Sequence, residues 1–400
     1  MAWKKVLPMD ERARFVLEAD REEINVSELC RRYGVSRKTG HKWINRYKST
    51  GLEGIKDISR RPHRCPHRTS PEWEERVVNE KLRHPSWGPK KIRQILIRQG
   101  YEGQVPAAST IGGILSRWQL VKPRRRSRRR KGSVVVRLTE AMYPNHVWAV
   151  DYKGWFRTGD GQRCEPLTIS DVYSRYVLEV RVLGSQSYEG AKGVFERVFE
   201  RYGLPQVIRT DNGTPFASVG VGGLSRLSVW WVVLGVRPEC ISPGHPEQNG
   251  VHERMHLSLD EATAQPAQNL EAQQRRFDSW RAEFNEQRPH EALGMQTPAQ
   301  RYERSSSKYD NTHKREISYP RGYKVRRVRT NGCIKWRGER RFIGEALSGM
   351  LVGIKEVDGG RNQVYFDSIV LGELYDVDYK KGLRPVSTVT KAGAKNQIKV

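Results

Sequence analysis

One segment of the sequence decides how the rest can fold, because it cannot join a core. In VKPRRRSRRRKG, eight of residues 121–131 are Lys or Arg. So many adjacent like charges repel one another, and the segment has almost no apolar surface to bury. It therefore predicts a basic linker over 121–137 that divides the chain of 400 residues into parts that fold separately.

The net charge is distributed unevenly between these parts. Residues 1–137 carry 34 Lys and Arg against 14 Asp and Glu, whereas residues 138–400 carry 38 against 31. A basic front part predicts a polyanionic partner, and nucleic acid fits better than a membrane surface because no basic amphipathic helix with a broad apolar face is evident. The linker can then follow phosphates or lie in a minor groove. Its candidate contacts are Arg124, Arg125, Arg126, Arg128, Arg129 and Arg130.

Residues 1–59 show the spacing of short helices separated by tight turns. NVSELCRRYG ends at Gly34, and VSRKTGHKWINRY begins with Ser36 as N-cap and continues with apolar residues at helical spacing. Helix, glycine-containing turn and helix is the order of a helix-turn-helix domain, whose second helix enters the major groove of DNA. The alternative is a three-helix unit with a solvated basic face. The candidate DNA contacts are Arg37, Lys38, Thr39, His41 and Lys42.

Residues 60–120 predict a second helical unit. Pro71 suits a first helical turn, and PKKIRQILIRQG and STIGGILSRW place apolar residues, including Trp118, at helical spacing. This order indicates another helix-turn-helix domain. Two DNA-reading domains in tandem would suit a long DNA site.

From residue 146 the apolar period changes from that of helices to that of strands. HVWAVDYKGWF, CEPLTISDVYS and RYVLEVRVLG predict three strands, SYEGAKGVFERVFERYG predicts a helix, and PQVIRTDNG predicts a fourth strand. Strands and helices in this order predict a mixed sheet flanked by helices, and hence an α/β core over 138–305.

The C-terminal part shows short segments that alternate between apolar and polar residues. After a connector over 306–321, five such segments follow one another in residues 322–378. They predict a small β-barrel domain, and residues 379–400 predict a tail without structure.

Cysteines and apolar runs exclude several classes of protein. The five cysteines, which lie far apart, indicate neither a disulfide scaffold nor a zinc ribbon, and HRCPH at 63–67 lacks a second ligand pair at zinc spacing. The longest apolar run, near Leu227 to Val236, is too short to cross a bilayer, and no signal-peptide pattern opens the chain. We therefore expect a soluble, intracellular protein.

Three carboxylates occupy positions that can converge. Asp151 ends the apolar run of one strand, Asp211 follows another strand, and Glu253 lies near the start of a helix after a loop rich in Pro and Gly. Mg²⁺ or Mn²⁺ prefers oxygen ligands, and a pair of such ions can activate a nucleophile and stabilise the leaving oxygen of a phosphodiester. Each residue also has an ordinary role: Asp151 as a strand cap, Asp211 in an Asp-Asn-Gly hairpin turn, and Glu253 as a helix-dipole partner.

The same region contains a competing pattern. His252 to His256 reads H-E-x-x-H, the zinc protease signature, with Asp260 or Glu261 as the guessed third ligand. Exposed histidines near DNA phosphates are the simpler explanation. Asp171, another nearby acid, is explained by capping the turn at Ser174.

The loop over 242–250 contains four Pro and Gly residues, a composition typical of a loop that can move. His245, Gln248 and Asn249 can hydrogen-bond phosphate or base edges. The alternative is a flexible connector.

Taken together, these motifs resemble those of bacterial insertion-sequence transposases with a DDE core of the retroviral integrase type. VWAVDYKG, SDVYSRYVL, IRTDNGTPF, SPGHPEQNGVHERMHLSL and FNEQRPHEALGMQTPAQRY are similar to that family's core motifs and occur in its order. The resemblance covers most of 146–302, and the helix-turn-helix segments are similar to those upstream in such proteins. Forty-one residues separate Asp211 from Glu253, more than is typical of retroviral integrases, and the additional segment around VGVGGLSRLSVWW predicts a longer loop and a helix.

The resemblance implies all-α helix-turn-helix domains, an α/β RNase H-like catalytic core and a small C-terminal β-barrel. It implies that Asp151, Asp211 and Glu253 bind Mg²⁺, with Mn²⁺ as a substitute and no zinc. The implied activity is hydrolysis of DNA at the ends of a mobile element, followed by attack of the freed 3′-hydroxyl on target DNA, without a covalent protein intermediate.

The partners implied by the resemblance are double-stranded DNA, namely the terminal inverted repeats and the target, and at least one further copy of the chain on paired ends. The implied location is the bacterial cytoplasm, at the nucleoid. On the residues alone, a DNA-binding regulator built on a degenerate core remains the alternative.

Overall fold

The computed structural model describes residues 8–21, 24–57, 69–121, 138–218, 220–242, 245–312, 315–376 and 382–386. The six arginines predicted to contact DNA from the linker lie outside these ranges, as does the predicted tail except for residues 382–386. The chain divides into two compact units, Met1–Thr69 and Ser70–Val400, and each is described by itself.

The first unit has the helices predicted for a helix-turn-helix domain. They are α1 (Pro8–Ala19), α2 (Val26–Arg32) and α3 (Arg37–Thr50). The Asn25 side chain caps α2 by accepting from the Ser27 N–H, and Ser36 caps α3 by accepting from the Thr39 N–H, as predicted. A small core of Phe15, Val16, Leu29, Trp43 and Ile44 fixes the angle between the helices.

A second helical bundle begins the second unit. It comprises α4 (Pro71–Arg83), α5 (Pro89–Leu96) and α6 (Ala108–Arg117), which pack around Trp87, Ile92, Ile111 and other buried residues. Trp118 is 55% exposed, although its spacing predicted an apolar face, because α6 ends one residue before it.

The core sheet is mixed, as predicted. Its strands are β1 (Val147–Tyr152), β2 (Phe156–Arg157), β3 (Arg163–Asp171), β4 (Val177–Leu183), β5 (Val207–Thr210) and β6 (Arg237–Cys240). Strand β3 pairs antiparallel with β1, β2 and β4, whereas β1 with β5 and β5 with β6 are parallel. The sequence did not predict β6, because its residues Arg-Pro-Glu-Cys lack an apolar alternation; proline is tolerated in such an edge strand.

Helices cover both faces of this sheet. They are α7 (Tyr188–Tyr202), α8 (Arg226–Val233), α9 (Gly250–Thr263) and α10 (Leu270–Glu286). Leu167 and Ile169 of β3 join the buried cluster that includes α7 and α8. Thr168 and Ser170, which alternate with them, point to α9 on the other face, as the two-residue period of a strand requires. The predicted extra segment around VGVGGLSRLSVWW contains a loop and the start of α8, and β6 follows it.

The second helical bundle contacts this core next to α10. The His84 Nδ1 atom lies 2.8 Å from Glu283 Oε1. Arg98 donates to the Met295 carbonyl at 2.8 Å. The bundle and the α/β core therefore share an interface within the second unit.

The C-terminal domain is not the small β-barrel predicted from the sequence. Its strands are β7 (Lys324–Arg327), β8 (Cys333–Trp336), β9 (Glu339–Phe342), β10 (Leu351–Asp358), β11 (Arg361–Phe366) and β12 (Ile369–Tyr375). They form an open four-stranded antiparallel sheet in the order β12-β11-β10-β7 and a separate β8-β9 hairpin, so no sheet closes within the described residues. Alternating residues specify strands but not closure, which also requires a matching tilt and register around the whole sheet.

This domain shares its core with α8. Val229 and Val232 of α8 pack with Val352, Ile354 and Phe366. In the described part of the chain, no helix is both long and apolar enough to span a membrane.

Candidate active site

Parallel pairing of two strands brings the first two candidate carboxylates together. Val147 pairs with Val207 and Ala149 with Arg209 in the β1–β5 ladder. Asp151 and Asp211 each lie two residues beyond the last of these pairs, on strands that are about 4.8 Å apart, and the charge of Asp211 acts on Asp151. Because the neighbours of β5 are both parallel to it, the Asp-Asn-Gly segment that follows β5 is not a hairpin turn.

Local backbone contacts hold the Asp211 side chain at this edge of the sheet. The Gly213 N–H donates to Asp211 Oδ1 at 3.0 Å. A Cβ atom at position 213 would lie 3.0 Å from Asp211 Oδ2, so a larger residue would crowd the carboxylate. The glycine therefore lets the turn fold back against Asp211.

Glu253 lies in the first turn of α9, as the sequence predicted, and its side chain is exposed. Its neighbours His252, Met255 and Leu259 are buried. Helix α9 thus presents Glu253 on the edge of the face that packs on the sheet.

The electrostatics of Asp151 link the three carboxylates. Burial, the negative charge of Asp211 and that of Glu253 raise the pKa of Asp151 to about 7. The charge repulsion that this pKa reflects would be relieved by a cation, so the donor set fits a hard divalent metal. In the described ranges, no three His, Cys, Asp or Glu side chains are arranged to hold an ion, and the triad as a metal site therefore stays a prediction.

A hydroxyl group behind Asp151 connects β1, β3 and α9. Thr168 Oγ1 donates to the Asp151 carbonyl oxygen at 2.8 Å. The same oxygen lies 2.7 Å from His252 Nε2 and 2.8 Å from His256 Nε2. The backbone of the strand that carries Asp151 is thereby tied to the helix that carries Glu253.

This arrangement fixes the tautomers of both histidines. Since the single hydroxyl proton of Thr168 goes to the Asp151 carbonyl, both Nε2 atoms must donate to Thr168 Oγ1. Burial lowers the pKa values of His252 and His256, the latter to about 4, so both rings are neutral near pH 7. His252 Nδ1 then accepts from Ser170 Oγ at 2.7 Å.

These contacts bear on the H-E-x-x-H pattern. His252 is completely buried and hydrogen-bonded through both ring nitrogens, so the expectation of exposed histidines is wrong. The guessed third ligand Asp260 forms an ion pair with Lys153 at 2.6 Å, and the Glu261 side chain lies outside the described residues. The two histidines thus pack the helix on the sheet.

Replacing Thr168 with Val should lower the free energy of unfolding by about 2–4 kcal/mol, because two buried imidazole N–H groups lose their acceptor. Urea denaturation monitored by hydrogen exchange of β1 amides would measure the loss. Thr168→Ser is the matched control, since it keeps the hydroxyl and should retain most of the stability. Equal stability of Thr168→Val and the wild type would contradict this role.

The sequence contains a signal for this network. In LTISD, residues 167–171, the apolar residues alternate with Thr168 and Ser170. His252 and His256 are likewise one turn apart, on one face of a helix. A polar strand face and a polar helix face of similar length together predict a contact between the strand and the helix.

Asp171 caps the turn after β3, as predicted. Its Oδ2 accepts from the Ser174 N–H at 2.8 Å and from the Ser174 hydroxyl at 2.5 Å. Its Oδ1 accepts from the Asn145 N–H at 2.8 Å. This carboxylate is therefore committed to structure.

The loop before α9 uses its polar side chains internally. Gln248 Oε1 accepts from the Ser242 N–H at 2.6 Å, His245 Nδ1 lies 2.7 Å from Glu247 Oε1, and Asn249 is buried. Residues 243 and 244 lie outside the described ranges. Contact of His245, Gln248 and Asn249 with DNA stays a prediction.

The predicted DNA-facing residues of the first unit lie at the N-terminal half of α3. Arg37, Lys38, His41 and Lys42 are exposed there, and Thr39 is half-buried and bonded to Ser36. The helix therefore presents a basic face.

Family models match both the helical part and the α/β part of the chain. Two integrase core domain models match residues 142–246 and 234–298. A helix-turn-helix domain model matches 11–63, and a homeodomain-like domain model matches 39–115. The matched core contains Asp151, Asp211 and Glu253.

Two similar proteins come from bacterial insertion elements. The chain is 29% identical over 180 residues to the uncharacterized 31.7 kDa protein of insertion element IS407 from Burkholderia multivorans, a match that covers 44% of this chain and 62% of that protein. It is 28% identical over 182 residues to the uncharacterized 39.2 kDa protein of insertion element IS476 from Xanthomonas euvesicatoria, covering 45% of this chain and 50% of that protein. The chain thus spans about half to three fifths of these relatives.

Solved structures with similarity to the chain include retroviral proteins. The HTLV-2 integrase catalytic core domain in complex with magnesium aligns with a TM-score of 0.33 and 16% identity, covering 41% of this chain and 100% of that one. A chain of the simian T-cell lymphotropic virus intasome with a PP2A regulatory subunit aligns with a TM-score of 0.36 and 14% identity, covering 74% and 97%. On these comparisons, residues 142–298 match integrase core domain models, residues 11–115 match helix-turn-helix and homeodomain-like models, and the chain is similar to proteins of bacterial insertion elements.

Proposed function

We propose that this protein is a metal-dependent DNA transposase that binds the ends of a mobile element, cleaves them and joins them to target DNA. The observation that carries the proposal is the convergence of Asp151 and Asp211 through the β1–β5 register, with Glu253 close enough to raise the pKa of Asp151. The integrase core match over the same residues supports it.

In this proposal, Asp151, Asp211 and Glu253 hold Mg²⁺, or Mn²⁺ as a substitute. The bound ions would neutralise charge on the phosphodiester and favour deprotonation of the attacking hydroxyl. Thr168, His252 and His256 position the strand and helix that carry these carboxylates. The exposed basic face of α3, with the second helical bundle, binds DNA.

The reaction has two balanced steps. Water attacks a phosphodiester at the element end, its proton is lost to solvent, and a 3′-hydroxyl is released as the leaving group. That 3′-hydroxyl then attacks a phosphodiester of the target, a new P–O bond forms, and the target strand leaves with its own 3′-hydroxyl. Two ends must be held together for paired joining, so we propose that at least two copies of the chain assemble on the DNA.

The domain limits of the proposal follow the predicted ones, with DNA-binding domains over 1–59 and 60–120, a linker over 121–137 and the catalytic core over 138–305. We further propose that the C-terminal domain over 322–378, whose described strands form an open sheet, contacts DNA or a second subunit.

Removal of divalent metal should reduce both steps to background. The test incubates labelled candidate ends, taken from the DNA that flanks the reading frame, with wild-type protein and a target plasmid in Mg²⁺, Mn²⁺ or EDTA. Nicked and joined products on a denaturing gel should appear with either metal and disappear with EDTA. Specific binding without chemistry under every metal and end pairing would instead support a DNA-binding regulator.

A further inference from the structure

A basic pocket lies where the second helical bundle meets the α/β core. Its volume is about 670 Å³, and its wall includes α9 residues Val251, Arg254 and Met255. Most of the titratable side chains that line it are basic. They are Lys91 of α5, Arg175 of the β3–β4 turn, Arg254 of α9, and Arg288 and His290 after α10.

The acidic group that lines this pocket and the one whose charge acts on Arg175 are already engaged. Glu291, which also lines it, accepts from Lys90 at 2.7 Å. Asp171, whose charge acts on Arg175, accepts from the Asn145 and Ser174 groups. The pocket therefore keeps an excess of positive charge in a partly buried setting.

Two of the guanidinium groups are held in place by the fold. Arg175 has a left-handed backbone with φ of 66°, which is unusual for a residue other than Gly or Asn, and it donates to the Val172 carbonyl at 2.5 Å. Arg288 donates to Ser258 Oγ at 2.5 Å and lies over the Phe284 ring. Side chains that are already ordered lose little entropy when they bind a ligand.

His290 shows that these charges act on one place and that a hydrogen-bonding position is open there. Burial, and then the charges of Lys91, Arg288 and Arg175, lower the pKa of His290 to about 3. Its Nε2 atom is buried and has no hydrogen-bond partner among the residues that the structure describes. A buried polar atom of this kind, next to converging cations, is available to hydrogen-bond an anionic ligand.

We propose that this pocket binds a backbone phosphate of DNA, held between Arg254 and the other cations that line the pocket. The proposal rests on the proposed function and adds a contact to it. DNA is favoured over a free phosphate because Lys91 belongs to the second helical bundle and Arg254 follows Glu253 directly. A strand that enters the pocket is therefore within a few nucleotides of the carboxylates, since adjacent residues lie about 3.8 Å apart and base pairs about 3.4 Å apart.

The test measures how binding of the full chain to a short duplex of random sequence depends on salt, by fluorescence anisotropy in EDTA. One phosphate contact contributes about 0.9 to the slope of log affinity against log salt concentration. Arg254→Gln should make the slope less steep by about that amount. Arg254→Lys should leave the slope unchanged because the charge is retained. Arg275→Gln is the matched control: Arg275 is a 66% exposed arginine of α10 that pairs with Glu271, and its slope should equal that of the wild type.

A second arm identifies the source of the phosphate. Thermal unfolding with and without inorganic pyrophosphate is compared for the wild type and Arg254→Gln, which also shows whether the variant folds. An unchanged duplex slope with pyrophosphate stabilising only the wild type would assign the pocket to a free phosphate and overturn the proposal. An unchanged slope with no effect of pyrophosphate would also overturn it.

The assay separates this inference from the proposed function, because it contains no metal and requires no chemistry. A slope that depends on Arg254, in a protein that never cuts DNA, would support phosphate binding in the pocket and contradict the proposed transposase function. Cleavage and joining, with a slope that does not depend on Arg254, would support the transposase function and contradict phosphate binding in the pocket.

Discussion

Glu253→Gln should abolish cleavage and strand transfer while leaving DNA binding intact. The substitution keeps the size of the side chain but removes the negative charge that a metal ligand needs, and Glu253 is an exposed residue of the first turn of α9. Loss of metal-dependent stabilisation of the transition state should raise the activation barrier by about 4 kcal/mol, which slows the reaction on the order of a thousand-fold. Denaturing gels with labelled ends measure the chemistry, and anisotropy with the same ends measures the binding.

Glu271→Gln is the matched control for that variant. Glu271 is 82% exposed at the start of α10, where it pairs with Arg275, so the same change of side chain should leave cleavage at the wild-type level. Retained cleavage by Glu253→Gln would remove Glu253 from the site. Loss of DNA binding together with cleavage would show that Glu253 acts through structure.

Asp151→Asn should make the metal-free protein more stable at pH 8, by up to about 4 kcal/mol. The folded protein holds the pKa of Asp151 at about 7, above the ordinary value of 3.8, so folding favours the protonated carboxyl. The stability that this proton contributes is complete below pH 4 and is lost as the pH rises from 4 through 7. An amide cannot ionise, so the variant should not lose stability over that range.

Hydrogen exchange of β1 amides in EDTA, between pH 5 and pH 8, reports on the core domain alone. Wild-type protection should fall with rising pH relative to the variant, and the two should converge toward pH 4. Mg²⁺ should restore the wild type at pH 8 but not Asp151→Asn, since a ligand stabilises only the form that binds it. Asp278→Asn, at a half-exposed position of α10, is the control and should follow the wild type. Parallel pH profiles for wild type and Asp151→Asn would contradict the raised pKa.

Local sequence signals predicted much of the fold. Caps such as Ser36 and the change of apolar period near residue 146 act over a few residues, and these parts of the prediction are confirmed. Strand β6 was not predicted because Arg237, Pro238 and Glu239 show no alternation of apolar and polar residues. Its position is set by pairing with β5. The β-barrel prediction was wrong because closure depends on register between strands distant in sequence, which alternation does not encode.

The candidate site shows the same division. Asp151, Asp211 and Glu253 were singled out from strand ends, a helix start and their order in the chain. Thr168 and the burial of His252 were missed because they depend on which face of β3 meets α9. The pocket beside Arg254 could not be predicted from local sequence signals, since its wall includes Lys91, which lies more than a hundred residues upstream.

The parallel pairing of β1 with β5 also affects how the protein is made. Val147 and Val207 meet only after β2, β3, β4 and α7 have been placed between them, and such non-local pairing slows folding. Glu253 then arrives from further along the chain, on α9. A chain released early by the ribosome, or cut before α9, lacks Glu253 and so has no complete set of the proposed carboxylates. Under the proposed function, we predict that such a fragment binds the same DNA without cutting it and so competes with a chain that contains α9.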